Sequence, residues 1–339
     1  MLELENNEVA TELLPYQELE KNVWRKNICT GCRGCMAVCP ADALTYDSKL
    51  SRPSLVTSCE DCRACLDACP RMPANADIVS SDIIGPYLEI KNVRSRMSSD
   101  RFQNGGAATA LLTAALEEEL VDCALVMGVD RWTQKATPRV VYDSRDLVKC
   151  AGSKYTSNAV LEVIKDPKVR NIALVGTPCT VQAVGLLRNS SNEYAVNLAQ
   201  KVRFLIGLFC FEAFDDSLIS EITRRIGVQS WRIDKMVAAD GLMTVTLRDG
   251  ARKTIPLSDL AGCVKPGCKT CSDFTARLSD ISVGSIGSAP GMSAVLIRTE
   301  EGMGLFKIAE ERGFIEAWDS VDVKAIERAG RIKLKRNGF

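Results

Sequence analysis

The sequence predicts a small cysteine-rich module over residues 1–84, followed by a larger α/β domain with a mixed sheet over residues 85–339. Three observations lead there. Fifteen cysteines stand in a chain without one histidine, and eight of them fall into two identical spacings near the N-terminus. Beyond residue 85, apolar runs of strand length alternate with stretches of helical periodicity. A hairpin signal late in the chain makes a purely parallel sheet unexpected.

Composition narrows the chemistry. Without histidine, hydrolases that use a His base are excluded, as are His-ligated zinc, haem, Rieske and non-haem iron sites. The 43 Lys and Arg balance 43 Asp and Glu, which argues against a broad nucleic-acid-binding surface. At 46% hydrophobic residues the chain can bury a real core. The N-terminus, MLELENNEVATELL, has no basic region followed by an apolar one, and no run of 18 apolar residues occurs. A cytoplasmic location is expected, where cysteine clusters serve metal or redox chemistry rather than disulfides.

Residues 1–25 are acidic with a helical pattern at Leu13, Leu14 and Leu19, which suits a docking arm or a solvated helix. Residues 29–40, CTGCRGCMAVCP, and 59–70, CEDCRACLDACP, both read C-x2-C-x2-C-x3-C-P. This is the bacterial-type ferredoxin run for [4Fe–4S] clusters, in which three thiolates come from one tight loop and the fourth reaches the other cluster. By that rule Cys29, Cys32, Cys35 and Cys69 hold one cluster, and Cys59, Cys62, Cys65 and Cys39 the other. A pair of zinc sites, each held by four cysteines, is the alternative, but zinc does not require this register twice. Gly31 and Gly34 let peptide N–H groups turn toward sulfur, where the second loop has Asp61 and Ala64. Residues 41–58 suggest a short hairpin with Leu44, Tyr46, Leu50 and Val56 at apolar positions.

In the larger domain, helices are expected at 107–120, 157–166, 180–188, 214–227 and 300–313, and strands at 123–130, 170–179, 202–210 and 293–299. Gly227 is a plausible helix C-cap, and Asp249-Gly250 the turn of a hairpin over 243–257. Neither a G-x-G-x-x-G after a strand nor a P-loop is present. The Gly-rich pieces NGGAATALL (104–112) and AGSKYTSN (151–158) precede helical segments and could present N–H groups to a pyrophosphate, although such pieces more often pack loops on helices. Cys179 and Cys210 end strands, and Cys268 and Cys271 form a C-x2-C. Converging at a sheet edge, these four suit a third cluster. Alternatively, Cys179 and Cys210 are small buried hydrophobes and Cys268/Cys271 a reducible pair. Cys263 could replace one of the four, Cys123 reads as core, and Cys150 is undecided.

The stretches NGGAATALL, AGSKYTSN, VGTPCTVQA, GLFCFE and KPGCKTCSDFTARLSDISVGSIG, in this order over roughly residues 85–300, resemble the coenzyme F-420 hydrogenase/dehydrogenase beta-subunit family. With the preceding two-cluster module, the chain is most similar to members that feed F-420H2 electrons into the membrane F-420H2 dehydrogenase of archaea. The resemblance implies a flavin/F-420 domain with bound FAD, coenzyme F-420 as substrate, and a [4Fe–4S] cluster on Cys179, Cys210, Cys268 and Cys271. It implies a flavin against Asn104, Gly105, Gly106 and Thr109 and against Ser153, Lys154 and Tyr155, with Thr177 and Pro178 bordering the site where the two rings stack. Lys154 could then stabilise the anionic reduced flavin, or be an ordinary surface lysine. Arg94, Arg96 and Arg101 are candidates for the acidic F-420 tail, or solvated charges. The basic tail, KAIERAGRIKLKRNGF, could dock on an acidic partner or membrane surface, or be a solvated terminus.

The expected activity is oxidation of F-420H2 by hydride transfer to FAD. Single electrons then pass through three [4Fe–4S] clusters to subunits of a dehydrogenase complex, soluble or on the inner face of the membrane. An F-420H2:ferredoxin oxidoreductase, a carrier subunit without its own substrate site, and a relative acting on another organic substrate are the alternatives.

Overall fold

The computed structural model describes residues 13–76, 82–156 and 159–339. The chain enters through α1 (Pro15–Leu19), which runs into a π-type turn at Glu20–Trp24. Leu19, Val23 and Trp24 are buried against Cys35, Leu44, Cys65 and Leu66. The described part of the acidic segment is therefore a wall of the cysteine module, neither a docking arm nor a solvated helix. Of the three leucines expected on its apolar face only Leu19 is buried, while Leu13 and Leu14 are exposed; residues 1–12 lie outside the described residues.

Each cysteine run closes in one helical turn, α2 (Gly34–Ala37) and α3 (Ala64–Asp67). Between them β1 (Leu44–Asp47) and β2 (Arg52–Leu55) form the expected antiparallel hairpin. Leu44 is buried, but Leu50 and Val56 face solvent. The two runs share one backbone: Gly31 (φ +69°) and Arg33 (φ +62°) match Asp61 (φ +51°) and Arg63 (φ +60°). Only Gly31 adopts this left-handed conformation without strain. Gly34 turns its N–H toward Cys32 as expected, but what requires a glycine there is space. A Cβ there would stand 2.9 Å from Ala183 Cβ and 3.2 Å from the Ala68 carbonyl oxygen, so its absence lets the module approach the larger domain.

The larger domain begins with β3 (Glu89–Ser95), α4 (Ala107–Glu117), β4 (Cys123–Val129), β5 (Ala136–Val141) and α5 (Ser144–Leu147). It continues with β6 (Ile172–Gly176), α6 (Pro178–Arg188), α7 (Glu193–Gln200), β7 (Val202–Leu208) and α8 (Ser217–Ile226). Then come β8 (Ile233–Ala239), β9 (Leu242–Leu247), β10 (Arg252–Pro256), β11 (Ile281–Gly284), β12 (Ser293–Ile297), α9 (Glu300–Glu311), β13 (Ile315–Trp318) and α10 (Val323–Arg336). The main sheet has the order β13-β3-β12-β11-β7-β6-β4-β5. Strands β11, β7, β6 and β4 are parallel, and the flanking strands are antiparallel. The sheet is mixed as expected, but not because of the hairpin: β9 and β10 belong to a separate three-stranded sheet with β8.

Helices α4 and α9 cover one face of the main sheet, and α6 the other. The helix expected over 157–166 is only a 3-10 stretch at Ala159–Val163, where β-branched Val160, Val163 and Ile164 run up to Pro167; residues 157 and 158 lie outside the described residues. Gly227 does end α8, in the left-handed region. The cysteine module seats on the α6 side. Val38, Ala64 and Ala68 pack with Leu187, Ala195, Leu198 and Ala199, and Cys32 and Ala37 with Cys179 and Ala183. An Arg33–Glu162 ion pair and a bond from Asn192 Nδ2 to the Cys62 carbonyl (3.1 Å) tie the rim.

Gly34→Ala should therefore lower stability by about 1–3 kcal/mol through overpacking, seen as an earlier denaturant midpoint; an unchanged midpoint would show that the contact yields.

Candidate electron-transfer site

Strands β6 and β7 lie side by side with Gly176 opposite Gly207. Beyond Gly176 the chain passes through Thr177 to Pro178 and Cys179 in the first turn of α6. Just beyond β7 stands Cys210. Both cysteines thus emerge at the carboxyl ends of adjacent parallel strands, the edge where open α/β sheets carry sites. A 3-10 turn at Pro266–Thr270 brings up Cys268 and Cys271. The Ala213 N–H donates to Cys268 Sγ at 3.3 Å, and Thr177 Oγ1 stands 3.3 Å from Cys179 Sγ.

The four thiols act on one another. Burial pushes the Cys210 thiol up, Lys333 opposes this, and Cys268, Cys179 and Cys271 add to the rise. Cys268 is pushed up to about 11, chiefly by burial. Burial would also raise Cys271, but Lys333 and Arg71 outweigh it and hold that thiol below its ordinary range. Cys263 lies alongside, in an apolar cluster with Phe214, Leu218 and Leu260. Cys123 is fully buried in the core, and Cys150 is half-buried against the α4/α9 face.

In the N-terminal module, Cys29, Cys32, Cys35 and Cys69 line one pocket. Cys39, Cys59, Cys62 and Cys65 line another. These are the two sets that the crossover rule pairs. Peptide N–H groups point at the sulfurs: Gly31 at Cys29, Gly34 at Cys32, Arg71 and Met72 at Cys69, and Ala43 at Cys39 (3.3 Å). Burial pushes Cys65 up to about 12 and Cys69 up to about 11. Thiols so placed ionise when a cationic centre stands among them. Among the described residues, no three Cys, Asp or Glu side chains converge tightly enough to chelate one metal ion. Four sulfurs around a pocket, each set met by N–H donors, fit an iron–sulfur cluster.

The basic C-terminal tail is neither a solvated terminus nor a free docking arm. It is α10, folded back with Ile326, Ala329 and Lys333 on its buried stripe. Lys333 is 1% exposed, and its Nζ donates to the carbonyl oxygens of Cys210 and Asp273, both at 2.7 Å. Asn337 Nδ2 donates to the carbonyl oxygens of Cys268 and Cys271, both at 2.8 Å. Arg336 pairs with Glu212 at 2.8 Å. The tail therefore braces the third sulfur set. The signal was present in the 326–329–333 spacing, but it was hidden because one position of the apolar stripe is a lysine.

The two Gly-rich loops meet. A Cβ on Gly105 would lie 2.5 Å from the Val93 carbonyl oxygen, and one on Gly152 would lie 2.8 Å from that of Arg101. Gly106, at φ +73°, precedes α4, which carries Thr109; Asn104 is exposed. Lys154 donates to the carbonyl oxygens of Cys150, Ala151 (2.7 Å) and Gly152 (2.8 Å), and burial pulls its pKa down to about 8. The Tyr155 hydroxyl accepts from the Ala238 N–H at 2.8 Å and is also bonded by Ser153 and Gln103. Gln103 Oε1 is buried and has no partner, an acceptor site that sequence reading missed. The Tyr155 carbonyl oxygen accepts from the Phe214 N–H at 2.8 Å, one residue beyond the Ala213 that bonds Cys268. Arg94 and Arg96 both pair with Glu316 on β13, at 3.1 and 3.3 Å, and Arg101 is exposed.

Comparison with known proteins defines first a class: a mixed α/β fold behind a 4Fe-4S dicluster domain, which matches over residues 21–70. The coenzyme F-420 hydrogenase/dehydrogenase beta subunit matches with its N-terminal part over residues 92–165 and its C-terminal part over 169–322. The chain belongs to that family. It is 31% identical to a subunit of the F-420H2 dehydrogenase of Methanosarcina mazei, over 93% of this chain and 91% of that one. It is 35% identical to the beta subunit of the coenzyme F-420 hydrogenase of Methanothermobacter thermautotrophicus, over 71% of this chain and 88% of that one. A chain of the F-420-reducing [NiFe] hydrogenase complex from Methanosarcina barkeri superposes with a TM-score of 0.67 at 28% identity, covering 77% of this chain and 93% of that one. Among the described residues no helix is long and apolar enough to cross a membrane.

Two outcomes follow. Lys333→Met removes the lysine donor from the Cys210 and Asp273 carbonyls and should destabilise the fold by about 1–3 kcal/mol, read from denaturant unfolding. Lys154 titrates near 8 folded and at about 10.4 unfolded. The unfolded chain thus binds more protons across that window, and stability rises with pH through it. Lys154→Met should lack that slope in melts between these pH values; an identical slope in both proteins would disprove the assignment.

Proposed function

We propose that the chain oxidises reduced coenzyme F-420 by hydride transfer to FAD, and passes single electrons through three [4Fe–4S] clusters to partner subunits of a respiratory dehydrogenase. The observation that carries this reading is the contiguity of the pieces. Tyr155 in the Ser153–Tyr155 loop bonds Phe214, Ala213 bonds Cys268, and a Cβ on Gly267 would stand 2.3 Å from the Cys29 carbonyl oxygen.

In this reading Cys179, Cys210, Cys268 and Cys271 hold the entry cluster, Cys29, Cys32, Cys35 and Cys69 the middle one, and Cys39, Cys59, Cys62 and Cys65 the last. The last set lies closest to solvent, with Glu60, Asp61 and Arg63 exposed on its rim, which supports electron exit there. The flavin lies against Asn104, Gly105, Gly106, Thr109, Ser153, Lys154 and Tyr155, with Thr177 and Pro178 beside the stacking site. The buried Gln103 Oε1 fits it by offering an acceptor to a ring N–H. A bound flavin supplies the conversion of one two-electron hydride into two single electrons. The protein's residues bind, orient and exclude water. Lys154 holds its loop through three carbonyls, and its charge lies where an anionic ring would form. Hydride passes directly between carriers, so no imidazole is required. The names of the relatives, a dehydrogenase subunit and a hydrogenase subunit, support partner subunits for this chain.

The purified chain should contain about twelve irons, three clusters of four, and one flavin, and F-420H2 should bleach the flavin under anaerobic conditions. Cys268→Ala should lose about four irons and slow reduction of an artificial acceptor, while flavin bleaching by F-420H2 persists. FAD-loaded protein that leaves F-420H2 untouched would sink the proposal. Eight irons without flavin would point to a carrier subunit.

A further inference from the structure

Arg71 follows Cys69 by two residues, just past the proline that closes the second cysteine run. It lines the cavity framed by Cys29, Cys32, Cys35 and Cys69. Its guanidinium is hydrogen-bonded to Cys271 of the third sulfur set, and its charge interacts with Cys271, Cys179 and Cys69. Its Nη1 donates to the Pro70 carbonyl oxygen at 3.2 Å. Its Nε and Nη2 are buried and meet no nitrogen or oxygen acceptor; the guanidinium's bond to the Cys271 thiol is to sulfur. A buried guanidinium normally meets a carboxylate or a ring of carbonyls; the groups acting most strongly on this one are sulfurs. Lys333, by contrast, donates to the carbonyl oxygens of Cys210 and Asp273 and to the Cys271 sulfur, all at the third set, and Lys265 acts on Cys29 and Cys268 from its own position in the loop.

We propose that Arg71 is a positioning residue shared by two iron–sulfur clusters, its buried N–H groups donating to sulfur at the cavity of Cys29, Cys32, Cys35 and Cys69 and at the set of Cys179, Cys210, Cys268 and Cys271. The inference rests on the reading of both sulfur sets as cluster sites. Reduction adds negative charge to a cluster, and a fixed cation and N–H donors in a low-dielectric interior favour the reduced form. One guanidinium between two such sites raises both potentials together, and offsets the repulsion when both hold an electron. No bond is made or broken; the electron moves from one site to the next and Arg71 keeps its protons. The set of Cys39, Cys59, Cys62 and Cys65 lines a pocket that Arg71 does not line, and serves as an internal reference.

The test uses the full chain purified anaerobically as wild type, Arg71→Gln and Arg71→Lys, with iron and sulfide counted and each cluster's midpoint potential followed by EPR during a reductive titration. Cys268→Ala identifies the signal of the third set. With iron content intact, Arg71→Gln should shift two of the three potentials to more negative values and leave the third in place, with Arg71→Lys between it and wild type. Three unchanged potentials, a shift confined to one cluster, or an equal shift of all three would overturn the inference. Should Arg71→Gln lose iron, Arg71→Lys carries the test: the same pair of shifts upholds the inference, and three wild-type potentials reject it. Wild-type protein without twelve irons (three clusters of four) would instead refute the functional reading, whatever the variants do.

Discussion

Sulfur donors and their charges are costly to bury, and the packing of this chain is organised around that burial. Desolvation raises Cys29, Cys32, Cys35, Cys69, Cys210 and Cys268, so none ionises readily without positive charge close by. The charge is delivered by three buried or half-buried cations from distant parts of the sequence: Arg71, Lys265 and Lys333. Lys333 and Arg71 reverse the effect of burial at Cys271, which shows how strong that field is locally. Each cation in turn requires its segment to be held in place. The C-terminal helix folds back for Lys333, and the turn at Pro266–Thr270 sits on the Cys29 backbone near Lys265.

The parallel centre of the sheet makes this arrangement possible. Adjacent strands β6 and β7 release Cys179 and Cys210 at one edge, and the small residues of the module let it close over that edge. Gly34 against Ala183, Ala64 and Ala68 against Leu187 and Ala199, and Gly267 against Cys29 are all close approaches. The result is a continuous path of packed protein from the Tyr155 loop to the exposed rim near Glu60. Direct packing of this kind suits electron passage better than domains joined by a mobile linker.

The cysteine runs were legible because their spacing is dictated by a local loop, and the left-handed residues at 31, 33, 61 and 63 repeat the same backbone twice. The parallel strands β4, β6 and β7 were legible because both faces are covered and their residues, Arg203 apart, are apolar or glycine, whereas the four-residue β11 went unread. Strands β3, β5 and β13 escaped notice because they are half-exposed and carry charges such as Lys91, Arg94 and Arg139. The hairpin was found, but not its sheet, since pairing partners are chosen by long-range packing. The tail misled for a different reason: a run of lysines and arginines reads as solvated, and the 326–329–333 stripe is masked because one of its positions is a lysine.

By itself, then, the sequence determined the two four-cysteine runs, the absence of imidazole chemistry and the family, because these depend on residue identity at short, fixed spacing. Only the tertiary structure decided that Arg71, Lys333 and Asn337 surround the third sulfur set, and that the first and third sets share a wall. Those facts depend on burial and electrostatics between segments up to hundreds of residues apart, which short-range spacing does not encode.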